Sequence, residues 1–342
     1  MKRFFVIALA LMFVVPSVFA QAKSEEDHQA EAKRLNVRVE PFPDLFFSVL
    51  KLSFGSGTMP ELEGLAEAVE AARPLRGAVS GIRTFGLLAV PAIHSANASE
   101  LEKDFAQLPE TIQTANGEIR LRERATALAK ALSRIEDAFR KKVWPQHKTE
   151  IDKAALHIVQ RLIPKTRECF AYISKALGMS EATGTIPLYL VYQAPRPEGF
   201  TFRRRDGKGV CLMSVTANTG TQLFEIALHE SIHALDVESA GEGNALVEIR
   251  NRLTKAGLKS DDPDLRNVPH TLMFIQAAET IRRIVDQTHK HYGEVSGYYE
   301  RVPLVSKIEL PIWIAYLDGK ITRDEAVAQI VEGFLKARAT SR

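Results

Sequence analysis

Cysteine is scarce in this sequence: Cys169 and Cys211 are the only two in 342 residues, so at most one disulfide can brace the fold. Both sit in apolar patterns, and their spacing leaves two states open, a bridge or two buried thiols. Net charge is scarce as well. Lys and Arg total 45 against 42 for Asp and Glu, a formal +3 that falls to +1 if Lys2 and Arg3 leave with an N-terminal leader. No nucleic-acid or membrane-surface function can rest on so small an excess. No internal repeat is visible, and beyond the N-terminus no apolar run reaches the ~20 residues of a membrane-spanning helix. An apolar fraction of 45% over this length suits one large globular domain or two ordinary ones.

The N-terminus supplies the one long apolar run. "MKRFFVIALALMFVVPSVFAQAKS" has a basic start, an apolar stretch from Phe4 to Val15, Pro16, and a small-residue exit at Val18-Phe19-Ala20. This is the layout of a secretory signal peptide over residues 1–20, and the run is too short to span a bilayer. An uncleaved anchor is the alternative. No cysteine follows the exit, so a lipoprotein anchor is not indicated. The expectation is an exported protein, periplasmic or secreted, with no membrane insertion after cleavage and a mature chain from near Gln21. Residues 21–35 are polar and charged and read as a disordered lead.

Helical signals dominate residues 36–150, after a strand-like "NVRVEP". Ser99 with Glu102 reads as a capping box, in preference to the Asn97-Ala98-Ser99 glycosylation sequon, and residues 118–141 are rich in helix formers. Region 151–342 begins with a helix from about 165 to 177, stopped by Gly178. "TIPLYLVYQAP" then places Ile186, Leu188, Leu190 and Tyr192 on one face of a strand, and "FTFRRRDGKGVCLMSVTA" reads as two strands joined at residues 206–209. Thr221 is positioned to cap the helix that follows. Near the C-terminus, Thr322 and Glu325 form a second capping box ahead of an amphipathic helix that closes the core.

That helix after Thr221 carries "IALHESIHALDV". His229 and His233 are four apart, so they project from one helical face and can reach a single ion about 2.0–2.1 Å from each nitrogen. Glu230 follows the first histidine and can take a proton from water activated at the metal, the division of labour of H-E-x-x-H hydrolases. The flanking residues are uncharged and free of Pro and Gly, which suits a buried helix. The plain alternative is two core histidines satisfied by hydrogen bonds, or a site that has lost its metal.

Strands leading into an H-E-x-x-H helix resemble the zincin metallopeptidases over residues 150 to 290 or so. "HTLMFIQAAETIRR", "GYYERVP" and "WIAYLDGKITRDEAV" are also similar to a group of exported bacterial proteins that carry H-E-x-x-H and bring no known substrate. The resemblance implies an α+β, mostly helical fold with a zincin-like core, a small β-sheet preceding the motif helix, a Zn2+ cofactor and a peptide or protein substrate. It also implies that an extended peptide pairs with the strand near Val210 to Thr216. Arg203, Arg204 and Arg205 read either as a preference for acidic substrates or as a solvated hairpin tip.

A catalytic zinc needs a third protein ligand. Metzincin spacing fails, since Asp236 and Ser239 stand where Gly and His are wanted, and thermolysin-like spacing fails at Leu253. Glu248 reads as a solvated ion pair with Arg252. Glu279 falls on the inward face with Leu272 and Ile275, where a carboxylate needs a partner, and the second resemblance also suggests it as the ligand. Arg283, four residues on, is the competing partner for it. His270 ranks second, as a ligand, a transition-state donor or a surface residue, and Tyr298 or Tyr299 could donate to an oxyanion or simply pack. The expected protein is an exported zinc metallopeptidase of gluzincin-like character with His229, His233 and Glu279 as ligands and Glu230 as general base. The rival is a non-catalytic envelope protein with a degenerate or structural metal site.

Overall fold

The computed structural model describes residues 35–115, 117–180, 184–238, 243–302 and 304–340. The leader at 1–20, and all of the polar lead except Leu35, lie outside the described residues. The fold is α+β and mostly helical. A four-stranded sheet runs in the order β1-β4-β6-β5, where β1 is Leu35–Val39, β4 Ile186–Val191, β5 Gly199–Arg203 and β6 Gly209–Ser214. β1, β4 and β6 are parallel, and β5 returns antiparallel on β6 through the turn expected at residues 206–209. A separate hairpin pairs β2, Ile112–Thr114, with β3, Gly117–Ile119.

Period-two alternation sorts the sheet into two cores. On β6 all six residues are buried, as a central strand covered on both sides requires. Val210 and Leu212 join the cluster formed by the N-terminal helices, whereas Cys211 and Met213 join the cluster around the motif helix. Ile186, Leu188 and Leu190 point to the second side, the face that their alternation predicts, and Tyr192 packs there too. The N-terminal cover comprises α1 (Pro41–Ser53), α2 (Leu65–Ala72), α3 (Ile82–His94), α4 (Ala98–Phe105) and α5 (Leu121–Lys142). The opposite cover begins with α6 (Trp144–His157) and α7 (Thr166–Leu177) and continues with α8 (Gly220–Glu238), α9 (Ala245–Lys255) and α10 (Asp264–Thr280). It ends with α11 (Leu310–Leu317) and α12 (Arg323–Thr340). The boundary read at residue 150 falls inside α6, and β1 from the N-terminal region hydrogen-bonds to β4, so the two regions share one sheet.

Two glycines set how closely α8 lies on this sheet. A Cβ on Gly209 would come within 2.5 Å of Ala234, and one on Gly199 within 2.8 Å of Glu230 Oε1. Side chains at those points would lift the helix off the strands. A buried polar clamp ties α1, from the N-terminal cover, to α6 and the end of β4. Asp44 Oδ1 accepts from the Tyr192 N–H at 2.6 Å, its Oδ2 meets His147 Nδ1 at 2.7 Å, and the His147 ring stacks on Tyr192 at 3.9 Å.

Local signals locate most elements, with shifts at two caps. α7 ends at Gly178, whose φ of 70° is the left-handed cap glycine permits. Thr322 and Glu325 form the expected reciprocal box, the Thr322 N–H donating to Glu325 Oε2 at 2.7 Å and the Glu325 N–H to Thr322 Oγ1 at 3.3 Å. At α4, however, Asn97 rather than Ser99 is the cap and accepts from the Glu100 N–H at 3.0 Å. Thr221 lies inside the first turn of α8, with its hydroxyl 2.8 Å from His289 Nδ1 instead of capping the helix.

Cys169 and Cys211 are both buried free thiols, which decides between the two states the spacing left open. Burial pushes the Cys169 thiol up to about 12, so it stays protonated and unreactive at neutral pH. Neither thiol should therefore react with a water-soluble disulfide reagent in the native protein. Both should react after denaturation, and reducing agent should leave Tm unchanged. Fewer than two reactive thiols in the unfolded, unreduced chain would contradict this.

Candidate metal centre

α8 is buried along its middle: every residue from 223 to 232 is shielded from solvent. Such a helix cannot carry polar side chains without partners, because an unpaired buried charge costs several kcal/mol. Glu225, His229 and Glu230 are nonetheless all buried there. Each meets a different solution.

His229 and His233 lie one turn apart with their Nε2 atoms 3.2 Å from each other. His270, half-buried in the first part of α10, completes a set of three whose ligand atoms all lie within 4.8 Å of one another. The His270 ring centroid is 5.0 Å from that of His229 and 5.1 Å from that of His233. Two nitrogens bound to one tetrahedral ion at about 2.0–2.1 Å stand about 3.3 Å apart, so the His229–His233 spacing already suits shared coordination. Burial lowers all three pKa values, and neighbouring positive groups lower them further. His233 falls to about 3 and His270 to about 4, while His229, facing both other histidines, lies well below its ordinary value. All three are therefore neutral at pH 7, with lone pairs free for a metal. The His229 Nδ1, on the far side of its ring from that Nε2 pair, is buried with no hydrogen-bond partner among the described residues. The residues present fit a metal ion, and three imidazoles favour a first-row transition metal over Mg2+ or Ca2+.

Glu230 is not part of that set. Its Oε2 accepts from Thr201 Oγ1 at 2.8 Å, and the same hydroxyl lies 2.7 Å from the Glu230 carbonyl oxygen. Burial pushes its pKa up to about 8, with the Thr201 hydrogen bond opposing the shift. The carboxyl group thus sits beneath β5, between Thr201 and the bare face of Gly199.

Glu279, the expected third ligand, is not among the three residues of that set. It lies nine residues after His270 on α10, about 13 Å farther along the axis at 1.5 Å per residue. Its Oε1 takes hydrogen bonds from Arg282 and from His291, each at 2.9 Å, and its Oε2 from Arg282 at 2.7 Å and Arg283 at 2.9 Å. Burial alone would raise its pKa, but His291, Arg282 and Arg283 together hold it at about 2. The inward carboxylate needs a partner, as its position implies, and arginines supply it. Glu248 is the exposed ion pair expected, 2.7 Å from Arg252.

The tyrosines separate. Tyr299 is buried with its hydroxyl 3.2 Å from His291 Nδ1, facing the Glu279 network. Tyr298 packs on Phe274, which stacks on His229 at 3.7 Å and meets His270 edge-on at 5.2 Å. Phe274 escaped the sequence reading, although its place four residues after His270 was the available signal. Glu225 also escaped it: its Oε2 meets His289 Nε2 at 2.7 Å and accepts from the Tyr292 N–H at 2.7 Å, tying residues 289–292 to α8.

The strand expected to receive a peptide is corrected too. β6 has β4 on one side and β5 on the other, so both its edges are already paired. Among the described residues β1 and β5 are the sheet's two outer strands, and β5 is the one that touches Glu230.

Searches of family models, curated proteins and solved structures find no match to this chain.

Metal analysis separates the two ligand sets. The protein should bind about one transition-metal ion per chain, and a saturating ion at 1,000 times its Kd should stabilise the fold by ~4 kcal/mol. His270→Gln should lose that ion and the gain in Tm. Glu279→Gln should keep the ion while losing about 3 kcal/mol of stability, the usual cost of breaking a buried charge network. The opposite pattern would restore Glu279 as ligand.

Proposed function

We propose that the protein is an exported zinc-dependent hydrolase of the zincin type, a metallopeptidase. The observation that carries this is the convergence of three neutral imidazoles beside a buried carboxyl group under a free strand edge. When bound, zinc would supply Lewis acidity toward water and toward a carbonyl oxygen. His229, His233 and His270 would hold it, kept neutral by burial.

The remaining work belongs to the chain's own side chains. Glu230, buried directly after His229 in the chain and hydrogen-bonded by Thr201, would accept a proton from attacking water and return it to the leaving amine. The Thr201 hydroxyl fixes the carboxyl group, and the Gly199 position leaves Oε1 uncrowded. Phe274, stacked on the His229 ring and edge-on to that of His270, packs against both. The outer edge of β5 offers backbone groups to an extended peptide next to Glu230. Tyr298, packed on Phe274, is the tyrosine placed near this centre, whereas the Tyr299 hydroxyl is taken up by His291. Export is inferred from residues 1–20 and places the activity in the periplasm or outside the cell.

Glu230→Gln is the direct test. The variant should keep its metal and its Tm while peptide hydrolysis falls by at least ~10²–10⁴-fold, the range for losing a general base. Parental cleavage of a peptide library by this variant, or a metal-free wild-type protein, would instead favour the non-catalytic envelope reading.

A further inference from the structure

A cavity of about 740 Å3 opens between α3 and the free edge of β5. One wall is apolar, with Leu87, Val90, Pro91 and Leu108, and Ile82 at its mouth remains 53% exposed despite its size. Exposed apolar surface beside a recess marks a binding surface more often than a structural one. The rim is charged and unequal. Four guanidinium groups, from Arg83 on α3 and Arg203, Arg204 and Arg205 at the end of β5, face two carboxylates, Asp104 and Asp206. Arg204 and Asp206 pair at 2.9 Å. Arg83, Arg203 and Arg205 pair with no carboxylate among the described residues. A solvated hairpin tip does not account for Arg83, which approaches the same recess from a different element.

Thr201 joins this cavity to the metal centre. It lines the cavity, and its hydroxyl donates to Glu230. A chain lying along the outer edge of β5 would therefore run past both the arginine rim and Thr201, the residue in contact with the proposed base. We propose that this cavity is the substrate-recognition subsite of the protein and that it takes the acidic side chains of an extended peptide. The proposal rests on reading the centre as a peptidase, but the charge argument is independent of hydrolysis. Three unpaired guanidinium groups around an apolar recess select carboxylates with apolar neighbours.

Binding can be read without turnover by using the full-length mature Glu230→Gln protein and two fluorescein-labelled twelve-residue peptides. One carries four Glu among Leu and Val, and the other carries Gln at the same places. The Glu peptide should bind about five- to tenfold more tightly at low salt, the sum of a few exposed ion pairs, and the difference should shrink as salt is added. Replacing Arg83, Arg203 and Arg205 together with Ala should abolish the difference and leave Gln-peptide affinity and Tm in place, whereas Arg252→Ala should change nothing. Equal affinity for the two peptides, or a preference that survives the triple variant, would overturn the proposal. Cleavage by the wild-type protein separates the two readings. Acidic binding that depends on the arginines without any cleavage leaves this subsite standing and removes the peptidase. Cleavage without acidic preference does the reverse.

Discussion

The burial of α8 between the sheet and α10 governs what the rest of the chain must do. Gly199 and Gly209 let the helix approach the strands until side chains at those positions would clash, and α10 covers the opposite side. In that space solvation is lost, so each polar group on the helix needs a substitute for water. Glu225 finds it for Oε2 in His289 and in the Tyr292 N–H, which draws residues 289–292 against the helix, while its Oε1 has no partner among the described residues. Glu230 finds it in Thr201. His229 has its neighbouring imidazole at Nε2 and no partner at Nδ1 among the described residues.

The same rule explains why Glu279 reads as a ligand while the structure pairs it with arginines and a histidine. A buried carboxylate on an apolar helical face demands positive charge, and a metal ion and an arginine satisfy that demand equally well on paper. The helix decides between them. A wider, π-helical turn follows α10 at Ile281–Val285, and from it both Arg282 and Arg283 reach back to Glu279. His291 arrives from beyond the turn and completes the set. With four hydrogen bonds the carboxylate is saturated. His270 instead sits toward the opposite end of the same helix, half-buried and in ring contact with His229, His233 and Phe274.

What the sequence made legible was local. The i, i+4 histidines, the alternating strand at Ile186–Val191, the hairpin turn, the glycine stop at Gly178 and the Thr322–Glu325 box are each decided within a few residues. The structure places all of them accordingly. Distances of tens of residues were not legible. Nothing in the composition of β6 says that both its edges are taken, because buried central strands and covered edges share the same apolar run. His289 and His291 likewise carry no local mark of their partners, which lie 64 and 12 residues away. Even a short-range choice failed at α4, where Asn97 and Ser99 both suit a cap and only the Glu100 backbone amide decided for the former.

Ligand number bears on whether the centre is structural or reactive. A structural zinc site is closed by four protein ligands, whereas a catalytic one leaves a position open. Among the described residues the set is three imidazoles, and the carboxyl group nearest in sequence, Glu230, is turned toward Thr201 instead of joining them. Holding that carboxyl group in a dry site with one side-chain hydrogen bond raises its pKa and costs the fold stability. An apolar residue of similar volume would pack there at lower cost. Such a group is not confined to this centre, since Glu309 is buried in the same way with Thr271 as its side-chain partner, and what sets Glu230 apart is its place in the chain directly after His229 and its contact with the edge strand β5.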